Sequence, residues 1–514
     1  MNNNNIKLIF LIPIVILVSL YLGIGVASSQ AEVLTVTGAI AVIGLIVVLG
    51  RRTWLLIPLV MLSNLFFRWI PGNMALRELA FLITIAGVGL LFAGRKIHFR
   101  FNFGLPHILA IVVIVTIVQV YLRHPTGLAI FGAGNVGGRP YFLVGLSIMG
   151  SFILSTIQVP PSELIAARRF AMVGGIFTVV VQWLAYIPGL GYLLTIAFGT
   201  GNMGFMSSGS TSDSAGRNMA GAATAESLPN VLVGYADPLK ALYANRWTIL
   251  MGLALFGTLI SGFRSRIALT GLIFAFGVFY WNGIRGVIGG FLIAVISLIF
   301  LIAVNAFVPL PGKIQRTLAW LPGSWEQRYI DEGTDSTDWR VEIWEEALLT
   351  DRWIENKVLG DGLGFTAAEL SMQQGIQDGS MSLGGFGGLS DHQISVLVNG
   401  DYHSGPVSLV RTIGYVGLAI FMVALLVLAA SCHNLMRRHK GHPYFGILAM
   451  FLIPAIAHPI YFLFIFGGFS QDFPLFFLNL GLYGLLRNNF ASLDDLDELE
   501  SVEDASQLGG PIRS

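Results

Sequence analysis

Apolar runs long enough to cross a bilayer recur along almost the whole chain, and they leave few folds open to it. They span Leu8 to Ala27, Val33 to Gly50, Trp54 to Phe67, Leu79 to Ala93, Leu105 to Leu122, Tyr141 to Val159 and Phe170 to Ile187. They resume at Trp247 to Ile260, Ile267 to Trp281, Val287 to Val308, Val407 to Ala430, Tyr444 to Phe466 and Pro474 to Leu486. About 20 residues of helix cross about 30 Å of hydrocarbon. Backbone polar groups there have to be satisfied within the segment, which selects helices over isolated strands. The expected fold is all-α, a polytopic membrane protein of 12 to 14 transmembrane helices with one large extracytoplasmic loop. Of 514 residues, 54% are hydrophobic and only 11% charged, which excludes an ordinary soluble enzyme.

The remaining totals narrow the chemistry. A formal net charge of +1 gives no global field to attract nucleic acid. Cys432 is the single cysteine, so no intramolecular disulfide or thiolate metal cluster can form. No HExxH, CxxC, P-loop or GxSxG motif occurs, and the acidic residues from Glu326 to Asp351 lack metal-ligand spacing, so neither cofactor nor metal is expected. Two hydrophilic stretches divide the chain: a Gly/Ser-rich outer loop, 188–246, closing the N-terminal helices 1–246, and a longer loop, 309–406, inside region 247–430. The longer one holds Trp320, Trp325, Tyr329, Trp339, Trp344 and Trp353, too many large aromatics for a disordered linker. C-terminal helices fill 431–487, and 488–514 forms an acidic cytoplasmic tail.

Basic loops stay cytoplasmic. Arg51/Arg52, Arg95/Lys96/Arg100 and Arg168/Arg169 put the N-terminus inside, and Arg437/Arg438/Lys440 put loop 309–406 outside. Counting forward through the apolar runs puts that same loop inside. One crossing is therefore missing or spurious, and the stretch 267–322, with Gly289, Gly290, Asn305 and Pro309, is the expected place for a break or an extra crossing.

Few residues are equipped for chemistry. Arg285, in Asn282-Gly-Ile-Arg-Gly286, is either a helix-end anchor or a phosphate clamp. Arg340 and Trp344 lie four apart, on one helix face. Leu359-Gly-Asp-Gly-Leu-Gly-Phe365 either ends that helix or, through Gly362 and Gly364, forms an anion-binding nest of amides. His403, in Asp401-Tyr-His-Ser-Gly-Pro406, sits at the membrane surface near Arg411; it is either an interfacial hydrogen-bonding group or a general base near neutral pH. His392 is a weaker candidate, and His458, before Pro459 in an apolar run, suits helix packing.

Three stretches in order resemble the O-antigen ligase/O-antigen polymerase superfamily of bacterial membrane glycosyltransferases, over roughly 247–430. Asn282 to Gly286 resembles its Ser-Arg-Gly helix start. Trp339-Arg340, Trp344 and Gly360-Asp-Gly-Leu-Gly-Phe365 resemble its Arg, Trp and Gly-rich segment. His403, followed by Arg411, Gly414 and Gly417, resembles its His-Asn segment, with Ser404 in place of Asn. The resemblance implies metal-independent, inverting transfer of a glycan from undecaprenyl diphosphate to a hydroxyl of an acceptor glycan or glycolipid such as lipid A-core. It places the enzyme in the inner membrane, facing the periplasm or exterior, in lipopolysaccharide or related cell-envelope polysaccharide biosynthesis. Arg285, Arg340 and Arg411, with Gly362 and Gly364, would bind the diphosphate, and His403 would be the base. A polymerase using the same donor and a lipid-glycan transporter or flippase stay open as alternatives.

Overall fold

The computed structural model describes residues 31–67, 74–94, 99–126, 138–187, 189–198, 217–243, 245–364, 371, 375 and 389–493. The expected helix at Leu8 to Ala27, the acidic residues after 493 and the side chain of His392 lie outside the described residues. The described chain is helical, with no strand; its only bridges are Phe66 to Ala75 and Phe99 to Ile157. Among the described residues seven helical segments are long and apolar enough to cross a membrane.

The first described helices are α1 (Ala31–Leu49), α2 (Leu56–Val60), α3 (Leu76–Ala93), α4 (Leu105–Arg123), α5 (Arg139–Thr156), α6 (Pro161–Leu184) and α7 (Leu190–Ala197). Then comes a helix where the sequence suggested a Gly/Ser-rich loop: α8, Met219–Tyr235, is buried along nearly its whole length against α6 and against α9 (Thr248–Ile260). Its residues are mostly small, so it lacks the hydropathy of a membrane run yet lets neighbouring backbones approach closely. A Cβ built on Gly221 would lie 2.8 Å from the Gly257 carbonyl oxygen, and one on Gly446 2.1 Å from that of Gly234. Its polar groups are met inside the bundle: Trp183 donates to Thr224 (3.0 Å), and Ser227 to the Leu62 carbonyl (2.9 Å).

The stretch 267–322 is broken, as one of the two expectations had it. In α10, Arg264–Phe307, Gly283 (φ 72°, ψ −167°) separates two helices. Unbroken, its 44 residues would span about 66 Å. Instead Gly286 and Gly290 both face Val278, and Ile267 shares an apolar cluster with Leu298, Leu301 and Ile302. The halves are an antiparallel hairpin with Gly283 at its tip.

Segment 309–406 is mostly helical and packs back on the bundle. It contains α11 (Gly312–Leu318), α12 (Gln327–Leu349) and α13 (Asp391–Asn399). Leu318, Trp325 and Tyr329 cover the α10 hairpin, while Ile343, Ala347, Ile354 and Leu397 share a second cluster with Val407 and Val410. The chain ends in α14 (Gly405–Arg438), α15 (Phe445–Phe464) and α16 (Phe469–Asn489).

α14 is also two helices, divided at Gly414 (φ 72°, ψ 177°). A straight helix would separate Gly405 and Phe421 by about 24 Å, yet both touch the Phe462 ring. The opening frees the carbonyls of Arg411 and Thr412, which the amides of Tyr415 and Val416 would otherwise reach. Asp361 and Gly362 donate to those carbonyls (2.8 and 3.0 Å), and Tyr415 and Val416 donate to Lys357 and Val358 (2.8 and 3.1 Å). A backbone with φ and ψ like those of Gly283 and Gly414 is essentially restricted to glycine and costs other residues about 1–3 kcal/mol. Gly283 has open space where a Cβ would go, whereas a Cβ on Gly414 would lie 2.3 Å from the Val358 oxygen. Gly283→Ala is therefore expected to lose about 1–3 kcal/mol and Gly414→Ala clearly more; equal melting temperatures for the two variants in detergent would contradict the pairing at Gly414.

Candidate active site

The sequence candidates fall into three places. Arg285 stands alone at the tip of the α10 hairpin. Four residues earlier, Trp281 packs edge-on against Phe445 (5.5 Å) and donates to the Val233 carbonyl, and Tyr280 hydrogen-bonds His433 (2.6 Å). Along α15, Phe445 at the Trp281 end and Phe464 at the cleft end are about 29 Å apart, so Arg285 and His403 occupy opposite ends of the bundle. Arg285 shares its end with Arg168, which sits over Tyr235 (4.6 Å), and with the basic turn after α14. It does not join Arg340 and His403.

Arg411, Gly362 and Gly364 come together around a void of about 10 Å³, room for one water. Their polar atoms are committed to the fold. Arg411 is buried and pairs with buried Asp361 (3.4 Å), whose carboxylate also accepts the amides of Glu355 and Asn356 (both 2.8 Å). The amide of Gly362 is bonded to Thr412, and that of Leu363 to the Tyr141 hydroxyl (2.9 Å). The amides of Asp361 and Gly362 and the Arg411 guanidinium are thus engaged in closing the junction at Gly414.

Arg340 and His403 do meet, in a cleft of about 190 Å³. Its walls are Thr337, Arg340, Val341 and Trp344 from α12, His403 and Ser404, and the end of α15 from Phe462 to Phe466. Trp344 fixes the facing loop by donating to the Tyr402 carbonyl (2.8 Å). His403 has a left-handed backbone (φ 53°), uncommon for a residue with a side chain. Its ring lies between Trp339 (5.7 Å) and Phe466 (5.5 Å).

The cleft is strongly cationic. Burial, and then the nearby guanidinium groups of Arg264 and Arg217, push Arg340 below the ordinary arginine range. Among the described residues Arg340 makes no ion pair or hydrogen bond with the protein. Arg264 opens α10 and donates to the Gly333 carbonyl (3.3 Å), and Arg217 lies over Phe263 (5.3 Å). Like charges held together in partial burial disfavour one another, and a multivalent anion relieves that. The sequence reading missed Arg217 and Arg264. Arg264-Ser-Arg266 directly before an apolar run was the available signal, since an arginine there starts a helix at an interface; Arg217 carried none. Arg266 itself pairs with Glu226 (3.3 Å). His458 binds Asp472 (2.8 Å), so its role is more specific than helix packing.

No family model matches this chain, and no curated protein matches it in sequence.

Removing one partner of a buried ion pair strands the other, at about 3–5 kcal/mol. Arg411→Ala is accordingly expected to lower the yield and melting temperature of the folded protein. An Arg411→Ala protein as stable as wild type but defective in anion binding would instead make Arg411 part of the site.

Proposed function

We propose that this chain is a metal-independent, inverting membrane glycosyltransferase that moves a glycan from undecaprenyl diphosphate to an acceptor sugar hydroxyl, as an O-antigen ligase does. The observation that carries this reading is the meeting of the His403 imidazole with the Arg340 guanidinium in one cleft, with Arg264 and Arg217 near enough for their charge to act on Arg340. His403 removes the proton from the acceptor hydroxyl as its oxygen attacks the anomeric carbon of the donor sugar. The bond from that carbon to the diphosphate breaks, and the lipid diphosphate leaves with the bonding electrons. Arg340, Arg264 and Arg217 stabilise the charge that develops there; fixed cations in a water-poor site act strongly on a departing anion. The energy is already stored in the lipid diphosphate, so no nucleotide is required. The polyprenyl tail lies along the apolar helices beside the cleft, and the aromatic walls suit the faces of sugar rings.

Orientation follows from the basic residues. Arg51, Arg168 and Arg437 gather at the end opposite His403, which by the positive-inside rule faces the cytoplasm. The cleft then faces the periplasm or cell exterior, in a 12- to 14-helix protein. Polymerisation of the lipid-linked glycan would use the same cleft and donor, and the acceptor alone distinguishes the two activities.

The test is transfer from undecaprenyl diphosphate glycan to lipid A-core or to a second lipid-linked glycan, in proteoliposomes. His403→Ala is expected to abolish transfer, and Arg340→Ala to reduce it at least about 100-fold, while Arg285→Ala leaves it near wild type. EDTA should not change the rate. Full activity of His403→Ala would remove the base, and chelator sensitivity would overturn the metal-free chemistry. Vesicle transport of the lipid-linked glycan without any bond made would favour a flippase. Cys432 is fully buried, so introduced cysteines can be labelled over a low background. Arg285→Cys and Asp338→Cys should react with impermeant reagent from opposite sides of the membrane; labelling from the same side would refute the topology.

A further inference from the structure

Behind His403 lies a set of buried ionisable groups that the transfer step above does not use. Asp401 precedes the histidine by two residues, and its carboxylate accepts the His403 amide hydrogen. One of its oxygens, Oδ1, is buried with no hydrogen-bond partner among the described residues. Against it packs the turn Gly467-Gly468, where a Cβ on Gly468 would lie 2.7 Å from Asp401 Oδ1. The Gly468 amide donates to Asp472 Oδ2 (2.8 Å), while the other oxygen of Asp472 holds His458 Nε2 (2.8 Å). Asp472 is close enough for its charge to act on Asp401. The ionisable groups acting on Asp401 are thus His403 on its own loop and Asp472 on α16; behind Asp472 stand its partner His458 and, within reach of its charge, Tyr461 on α15, itself near Arg266 and Glu226, while Arg340 shares the cleft with His403.

We propose, resting on the glycosyltransferase reading, that Asp401 is a positioning residue of the reaction. Its carboxylate seats His403 in the left-handed turn and supplies the negative charge against which the imidazolium forms, with the Asp472–His458 pair anchoring the wall behind it. The seat alone does not account for an aspartate. An asparagine would accept the same amide hydrogen without a buried charge, and a buried carboxylate oxygen lacking a donor is costly. Burial, with Asp472 adding to it, raises the Asp401 carboxyl above the usual aspartate range despite the His403 hydrogen bond. With the folded value raised, the fold favours the protonated carboxyl, and that stabilisation is lost as pH rises through the folded value. Above the folded value the wild type therefore carries a stability cost that an uncharged acceptor would not. When His403 takes the acceptor's proton, a carboxylate bonded to that residue's own amide favours the cation, since opposite charge stabilises an imidazolium.

Asp401→Asn, in the full chain in proteoliposomes with undecaprenyl diphosphate glycan, separates seat from charge. We expect KM to change little, kcat to fall at least about tenfold, and the acid limb of the kcat profile to move about one pH unit or more downward. The variant should melt at or above the wild-type temperature at pH 7, with that advantage gone in acid. Unchanged kcat and an unmoved acid limb would overturn the proposal. If Asp401→Asn does not fold, Asp401→Ser offers a shorter uncharged acceptor, with the same outcomes read. His403→Ala in the same vesicles keeps the two claims apart. If it retains transfer, the base assignment fails; if it loses transfer while Asp401→Asn behaves as wild type, only the role of Asp401 falls.

Discussion

A helix that opens inside an apolar bundle frees backbone groups that no water can reach, and each has to find a partner. At Gly414 those partners come from one short segment, Lys357 to Gly362, which donates to and accepts from the opened turn on both sides. Asp361 ties the segment to the residues before it by holding the amides of Glu355 and Asn356 and the Arg411 guanidinium, and Arg123 adds donors to the carbonyls of Leu359 and Gly360 (2.9 and 2.8 Å). The first half of α14 is thereby directed back along the bundle. That direction brings Gly405 against Phe462 and sets His403 at the end of α15. The position of the imidazole therefore depends on hydrogen bonds formed by residues that never face the cleft.

The arginines divide by their partners. Arg139 meets Glu78 (3.0 Å), Arg411 meets Asp361, and Arg266 meets Glu226, each fixing two elements together. Among the described residues Arg340 has no such partner, and the guanidinium groups of Arg264 and Arg217 act on it. A folded chain keeps such a group half-buried at a cost, and an anionic ligand offsets that cost on binding.

Much of the architecture was legible from the sequence because lipid imposes a simple rule: long apolar runs become helices. The hairpin at Gly283 and the helices after Val407 follow it. α8 escaped because small residues carry it, and Ala, Gly, Ser and Thr read as a loop when hydropathy is the only signal. Its burial shows only once its neighbours are in place. His403 and Arg340 were legible as candidates, since an interfacial imidazole and a cation on an aromatic helix face stand out in so apolar a chain, and the fold brings the two into one cleft. Gly362 and Gly364 were not, because glycines that cradle an anion and glycines that admit another backbone look alike in sequence. Only the partners of their amides tell them apart. Arg217, far from the other arginines along the chain, had no local pattern to reveal it.

The composition of α8 also bears on how the protein is made. A helix of small residues gains little from contact with lipid, and it carries Glu226 and Asn230 besides. Its stability in the bilayer comes instead from close backbone contact with α9, α10 and α15, all of which leave the ribosome after it. During synthesis α8 emerges with α6 as its one established wall, so its close packing is completed only when α15, near the carboxyl end, has been made.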